Sequence, residues 1–195
     1  MSCLAWNVRG LGNHRAIREL RRLIVEKKPS LVFLSETKMT ANKSKNWRDI
    51  WGCTGCFTVD SQGTKGGLML LWNEGLEIHI KSFSMGHIDC SVRDGDKMWR
   101  FTGFYGHPET HYRNFSWDLL RRLSGIPELK GLPWLIGEDF NEICYTTEKL
   151  GGCPRPQLQM DAFRRVLDDC ELRDLGCIGE FFTWANNRKS KALIF

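Results

Sequence analysis

Apolar residues in this chain fall into short runs, and the spacing within the runs changes along the sequence. "CLAWNV", beginning at Cys3, reads as a brief strand. Helical spacing follows. Asn13 is placed to cap a helix reaching about Lys28, with Ile17, Leu20, Leu23 and Ile24 on its buried face, and Pro29 ends it. "SLVFLSE" is a buried strand terminating at Glu36, which completes a β-α-β unit. The middle of the chain then takes the period of strands. "GGLMLLW", "LEIHIKSF", "HIDCSVRD" and "KMWRFTGFYG" are strand-like, and Asp94-Gly95 marks a hairpin turn between the last two. Tyr112 to Ser124 fits a second helix with Phe115, Leu119 and Leu123 inward. "LPWLIG" is another strand. Leu158 to Leu172 is helical with Phe163, Val166, Leu167 and Cys170 inward, and "EFFTWAN" is a final strand. Hairpins mixed with helical crossovers imply an α/β architecture of two mixed sheets face to face with helices outside, in a single domain over 1–195.

Composition narrows the class. Apolar residues at 42% and charged residues at 26% exclude a disordered or collagen-like chain. The formal charge of +5 is compatible with a polyanionic partner without requiring one. No run approaches the ~18 apolar residues that span a bilayer. Eight cysteines with no secretory signal ahead of them read as free, mostly buried thiols of a reducing compartment. Cys53 and Cys56 have zinc-knuckle spacing, but no second pair follows at a suitable distance.

Polar residues recur just after apolar strands. Asn7 follows "LAW", Glu36 follows "LVFLS", Tyr105 follows "FTGF", and Asp139 and Asn141 follow "WLIG" with Glu138 between. Strand ends gather at one edge of a layered sheet, so these side chains are positioned to converge. Carboxylates, amides and a phenol suit a hard divalent cation, which takes oxygen ligands and keeps several waters. Taken singly, each residue has a plainer explanation as a turn, loop or buried ring. The ordered set is what points to chemistry.

"LAWNVRGLG", "LSETK", "GGLMLLW", "GFYGHP", "DFNEI", "EKLGG" and "FTWANNR" together resemble the endonuclease domain of LINE-type (non-LTR) retrotransposons. That domain belongs to the endonuclease/exonuclease/phosphatase superfamily, with apurinic endonucleases and DNase I. The resemblance implies a DNase I-like four-layer α/β sandwich that uses Mg²⁺ or Mn²⁺ to nick DNA and leave a 3′-hydroxyl for reverse transcription. It implies Asn7 as the N-terminal active-site asparagine, also at the metal, and Glu36 as the metal ligand. Tyr105 would face the scissile phosphate, Asp139 would position or deprotonate the attacking water, and Asn141 would contact the phosphate. Arg9, Lys38, Trp184, Asn187 and Arg188 are assigned to nucleic acid; Arg15, Arg18 and Arg22 on one helix face read more simply as solvated. A monomer acting on DNA in the nucleus, joined to a reverse transcriptase region, completes that expectation.

Two departures qualify it. The family places glycine before the aspartate, where Glu138 stands, and a Cβ there is expected to strain the loop or set a second carboxylate beside the first. The family also continues to a Ser-Asp-His, whereas His14, His79, His87, His107 and His111 lie in other settings. The chain is therefore expected to lack its last strands and to nick plasmid feebly or not at all. A non-catalytic remnant and a phosphatase of small phosphoesters are the rival readings.

Overall fold

The computed structural model describes residues 1–42, 47, 48, 51–179 and 182. They form two compact units, Met1–Gly106 with Glu128–Asp139, and His107–Pro127 with Phe140–Phe195. The first unit holds two four-stranded sheets. One contains β1 (Cys3–Asn7), β2 (Leu31–Ser35), β3 (Gly55–Gln62) and β4 (Lys65–Trp72), in the order β1-β2-β4-β3. The other contains β5 (Leu76–Ser84), β6 (His87–Asp94), β7 (Lys97–Tyr105) and β8 (Trp134–Asp139), in sequence order. Each sheet has one parallel pair, β1 with β2 and β7 with β8, and antiparallel pairing elsewhere.

Alternation along the strands explains the layering. In β2, Leu31 and Phe33 face the second sheet, where they meet Ile88, Cys90, Val92 and Phe101. Val32 and Leu34 face the other way with Met69 and Leu71 of β4, onto Leu20, Ile17 and Ile24 of α1 (His14–Lys27). Strands buried on both faces have no polar side to show, so "LVFL" and "LMLL" read as unbroken apolar runs. Edge strand β5 shows the alternating pattern instead. Asn13 caps α1 by accepting from the Arg15 amide at 2.9 Å, and Lys28 closes it in the left-handed conformation. The unit is the mixed α/β sandwich that the hydrophobic pattern implies.

The second unit carries α2 (Arg113–Ser124) and α3 (Gln157–Asp169). Here the expected inward face of α2 holds at Leu123, buried, and Leu119, half-buried, but not at Phe115. Phe115 is exposed, and Arg113, Ser116, Leu120 and Leu123 are buried. The buried face carries two polar residues with fixed partners, which a reading of apolar spacing discards. Arg113 pairs with Glu142 at 3.2 Å, and the Ser116 hydroxyl accepts from the His107 amide at 2.8 Å. The face of α3 is closer to expectation, with Met160, Phe163, Val166 and Cys170 buried and Leu167 half-buried. β3 has no counterpart among the strands expected from the sequence, and Cys56, of the zinc-knuckle spacing, lies at its start. The cysteines are free but not mostly buried, since only Cys90 and Cys170 are. Most of "EFFTWAN" lies outside the described residues.

Candidate active site

The parallel pairs bring four strand ends to one edge of the first unit. Asn7 ends β1 beside Ser35 of β2, and Glu36 follows immediately. Tyr105 ends β7 opposite Asp139, the last residue of β8. The side chains meet there. Asn7 Nδ2 donates to Glu36 Oε1 at 3.1 Å and to Asp139 Oδ2 at 3.2 Å. The Tyr105 hydroxyl donates to Glu36 Oε1 at 2.7 Å. Residues 29, 69 and 132 positions apart thus form one hydrogen-bonded constellation, half-buried at the mouth of the sandwich.

Backbone geometry aims each group. Asn7 Oδ1 accepts from the Arg9 amide at 3.1 Å, which turns the amide nitrogen toward the two carboxylates. That arrangement makes Asn7 a bridge between carboxylates. Its oxygen is engaged away from them, so a metal role for Asn7 needs the amide to turn. Glu36 has φ of 49°, an uncommon conformation for a residue with a Cβ. The loop holding it is pinned by backbone bonds: Thr37 N–H to Gly67 O and Lys38 N–H to Gly66 O, both 3.0 Å, and Leu11 N–H to Thr37 O, 3.0 Å. A Cβ on Gly67 would lie 2.5 Å from Thr37 Oγ1, and Gly67 has φ of +88°. The glycines of "GGLMLLW" are therefore the seat of the Glu36 loop, a role the sequence reading did not assign.

Glu138 sits inside β8 opposite Phe104, with the extended backbone of a strand, which any residue adopts. The conformational demand expected for glycine at this position does not arise. The close approach falls one residue earlier, where a Cβ on Gly137 would lie 3.3 Å from Ala5 Cβ in the facing sheet.

Of the other expected residues, Arg9 and Lys38 are exposed in the loops after β1 and β2, and the Lys38 stem lies 3.2 Å from where a Cβ on Gly10 would be. Asn141, φ 53°, belongs to the second unit, two residues beyond Asp139 in the chain. Trp184, Asn187 and Arg188 lie outside the described residues. In the second unit the neighbouring Glu142 has a fully buried carboxylate paired with Arg113 at 3.2 Å and Arg155 at 2.9 Å. It fixes the loop that carries Asn141, and no sequence signal beyond "DFNEI" marks it.

The donor set suits a divalent cation. Two carboxylates with an amide and a phenol are hard oxygen chemistry, and Mg²⁺ typically takes one or two carboxylates and completes its shell with water and phosphate. Among the described residues, no cluster of three or more His, Cys, Asp or Glu side chains offers an all-protein cage.

Comparison with known proteins agrees with the fold. The model of the Endonuclease/Exonuclease/phosphatase family matches residues 4–193. No curated protein sequence matches the chain. Among solved structures, the AP endonuclease LMAP from Leishmania major superposes with a TM-score of 0.63 at 14% identity, covering 86% of this chain and 66% of that one. The endonuclease domain of TRAS1, a telomere-specific non-LTR retrotransposon, gives 0.63 at 14% identity, covering 86% and 71%. The 3′ phosphatase NExo from Neisseria, bound to product DNA hairpin, gives 0.60 at 15% identity, covering 87% and 71%. The chain thus spans about two thirds of the length of these relatives. A family match over nearly the whole chain, on a sandwich with carboxylates at its mouth, makes this protein a member of the endonuclease/exonuclease/phosphatase family.

Proposed function

We propose that the protein hydrolyses phosphodiester bonds of DNA with a divalent metal, nicking one strand as retroelement endonucleases do. The observation carrying this reading is the Asn7 amide joined to both Glu36 and Asp139, with the Tyr105 hydroxyl on Glu36 Oε1. Glu36 and Asp139 would hold Mg²⁺ or Mn²⁺, which supplies a Lewis acid to polarise a phosphoryl oxygen and offset charge in an in-line displacement. Asn7 keeps the two like charges together by donating to each. Asp139 orients and deprotonates the attacking water. Tyr105 directs its hydroxyl into the site, and Asn141 contacts the phosphate. In this reading the partner is DNA and the wider protein includes a reverse transcriptase region. The domain acts as a monomer in the nucleus.

The likeness to a 3′ phosphatase gives the second reading, removal of phosphate from smaller esters. The third is a remnant that binds metal or DNA without turnover. Supercoiled plasmid and inositol phosphates, each incubated with Mg²⁺ and either wild-type protein or Glu36→Ala, separate the three. Nicked circles, however slowly formed, that disappear with Glu36→Ala are the expected result. Phosphate release from the small esters without nicking favours the phosphatase. Mg²⁺ or DNA binding with neither product favours the remnant.

A further inference from the structure

The turn between β5 and β6 touches both halves of the site. Gly86 O accepts from Tyr105 N–H at 2.8 Å. A Cβ on Gly86 would lie 3.0 Å from Tyr105 O, so the turn lies close against the backbone of the residue whose hydroxyl reaches Glu36. On the facing sheet, Met85 Cε lies 3.2 Å from where a Cβ on Gly66 would be. Gly66 O accepts from Lys38 N–H and so helps seat the Glu36 loop. One four-residue segment thus bears on both partners of the 2.7 Å Tyr105–Glu36 bond.

The segment is held from behind by a buried histidine. His87 is 4% exposed, and its ring lies between two serine hydroxyls, Nε2 to Ser82 Oγ at 3.0 Å and Nδ1 to Ser84 Oγ at 2.7 Å. Ser84 Oγ also accepts from the Gly86 amide at 3.2 Å, tying ring, turn and Tyr105 into one chain of bonds. A bulge makes this possible. The register of β5 shifts between Ile80 and Ser82, so the strand turns over at Lys81. Ile80 points into the core, and beyond the bulge Ser82 and Ser84 share the face of their partners Asp89 and His87. Without that extra residue the two serines would face the core and His87 would lose both contacts. A hydroxyl accepts or donates equally well, so the clamp is satisfied in either protonation state of the ring.

We propose that His87 is a positioning residue: it locks the Ser84–His87 turn and through Gly86 sets where Tyr105 meets Glu36. The consequence for rate rests on the hydrolase reading above, whereas the consequence for Tyr105 does not. His87→Phe keeps a buried ring and removes both bonds, and Ser84→Ala removes one ring contact and the Gly86 acceptor with less risk to the fold. The chain has three tyrosines, so ¹³C-tyrosine NMR spectra resolve Tyr105 by its loss in Tyr105→Phe. We expect both variants to shift the Tyr105 ring signal while the Tyr112 and Tyr145 signals hold. We expect nicking to fall about 10- to 100-fold, as for other residues that orient reacting groups. The double variant His87→Phe/Tyr105→Phe is expected to nick no more slowly than Tyr105→Phe alone. An unmoved Tyr105 signal in the folded Ser84→Ala protein overturns the proposal, as does a full additive loss in the double variant. If no protein nicks at all, the hydrolase reading fails and the NMR comparison still decides the role of His87.

Discussion

Glu36 is held by two donors in a backbone conformation that costs an L-residue roughly 1–2 kcal/mol. Glycine has no such penalty, so the two ways of removing the carboxylate differ in stability. Glu36→Gly is expected to unfold at a higher urea concentration than Glu36→Ala, by about 1 kcal/mol, with the site disabled in both. Equal midpoints would mean that the loop relaxes out of the left-handed region once its hydrogen bonds are gone. A second residue-scale effect concerns Cys90, which is fully buried beside Asp89. Burial first, and the Asp89 carboxylate second, push its thiol up to about 12 from 9.0. The folded state therefore keeps this proton where the unfolded chain has lost it. Stability from Cys90 is complete below pH 9.0 and declines as pH rises toward about 12. Urea midpoints measured upward from pH 8 should fall more steeply in wild type than in Cys90→Ala, and parallel slopes would contradict the assignment.

At the scale of elements, two glycines on neighbouring strands, paired Gly103 to Gly137, let the sheets close at the site. Their surroundings differ. A Cβ on Gly103 would stand 2.1 Å from Phe33 Cδ2, at the centre of the core, whereas one on Gly137 would stand 3.3 Å from Ala5 Cβ near the edge. Gly103→Ala should cost stability in the overpacking range of about 1–3 kcal/mol or fail to fold. Gly137→Ala should cost less but move Asp139 away from Asn7, so that its loss shows in nicking more than in thermal melting. Both expectations reverse if the sheets separate freely. The contrast also shows what the sequence made legible. The strand "LVFLS" is readable because two-sided burial writes an unbroken apolar run, and the apolar runs ahead of Asn7, Glu36, Tyr105 and Asp139 each give way to polar residues. β3 was not readable, because an edge strand of "GCFTVDSQ" carries little apolar signal and only its pairing with β4 shows it. Part of the buried face of α2 escapes local spacing, because Arg113 is buried by an ion pair with a distant glutamate. Asn7's bridging role belongs to the same class, since it depends on partners 29 and 132 residues away.

For the whole molecule, the count of 28 Lys and Arg overstates the cations available to a polyanion. Arg22, Arg93, Arg100, Arg113, Arg121, Arg155 and Arg164 are each within ion-pair distance of a carboxylate. Arg22 on the exposed face of α1 lies between Glu19 and Glu26, as a solvated helix face would have it. The exposed Arg9 and Lys38 flank the constellation on loops with φ of 49° and 55°. Each phosphate contact contributes about 0.9 to the slope of log affinity against log salt on duplex DNA. Fluorescence anisotropy of a labelled duplex, titrated across salt in the Glu36→Ala background, can resolve that change. Arg9→Ala and Lys38→Ala should each flatten the slope by about one contact, while Arg22→Ala leaves it unchanged. A flatter slope in Arg22→Ala alone would move the nucleic-acid contact to α1 and away from the edge where Asn7, Glu36, Tyr105 and Asp139 meet.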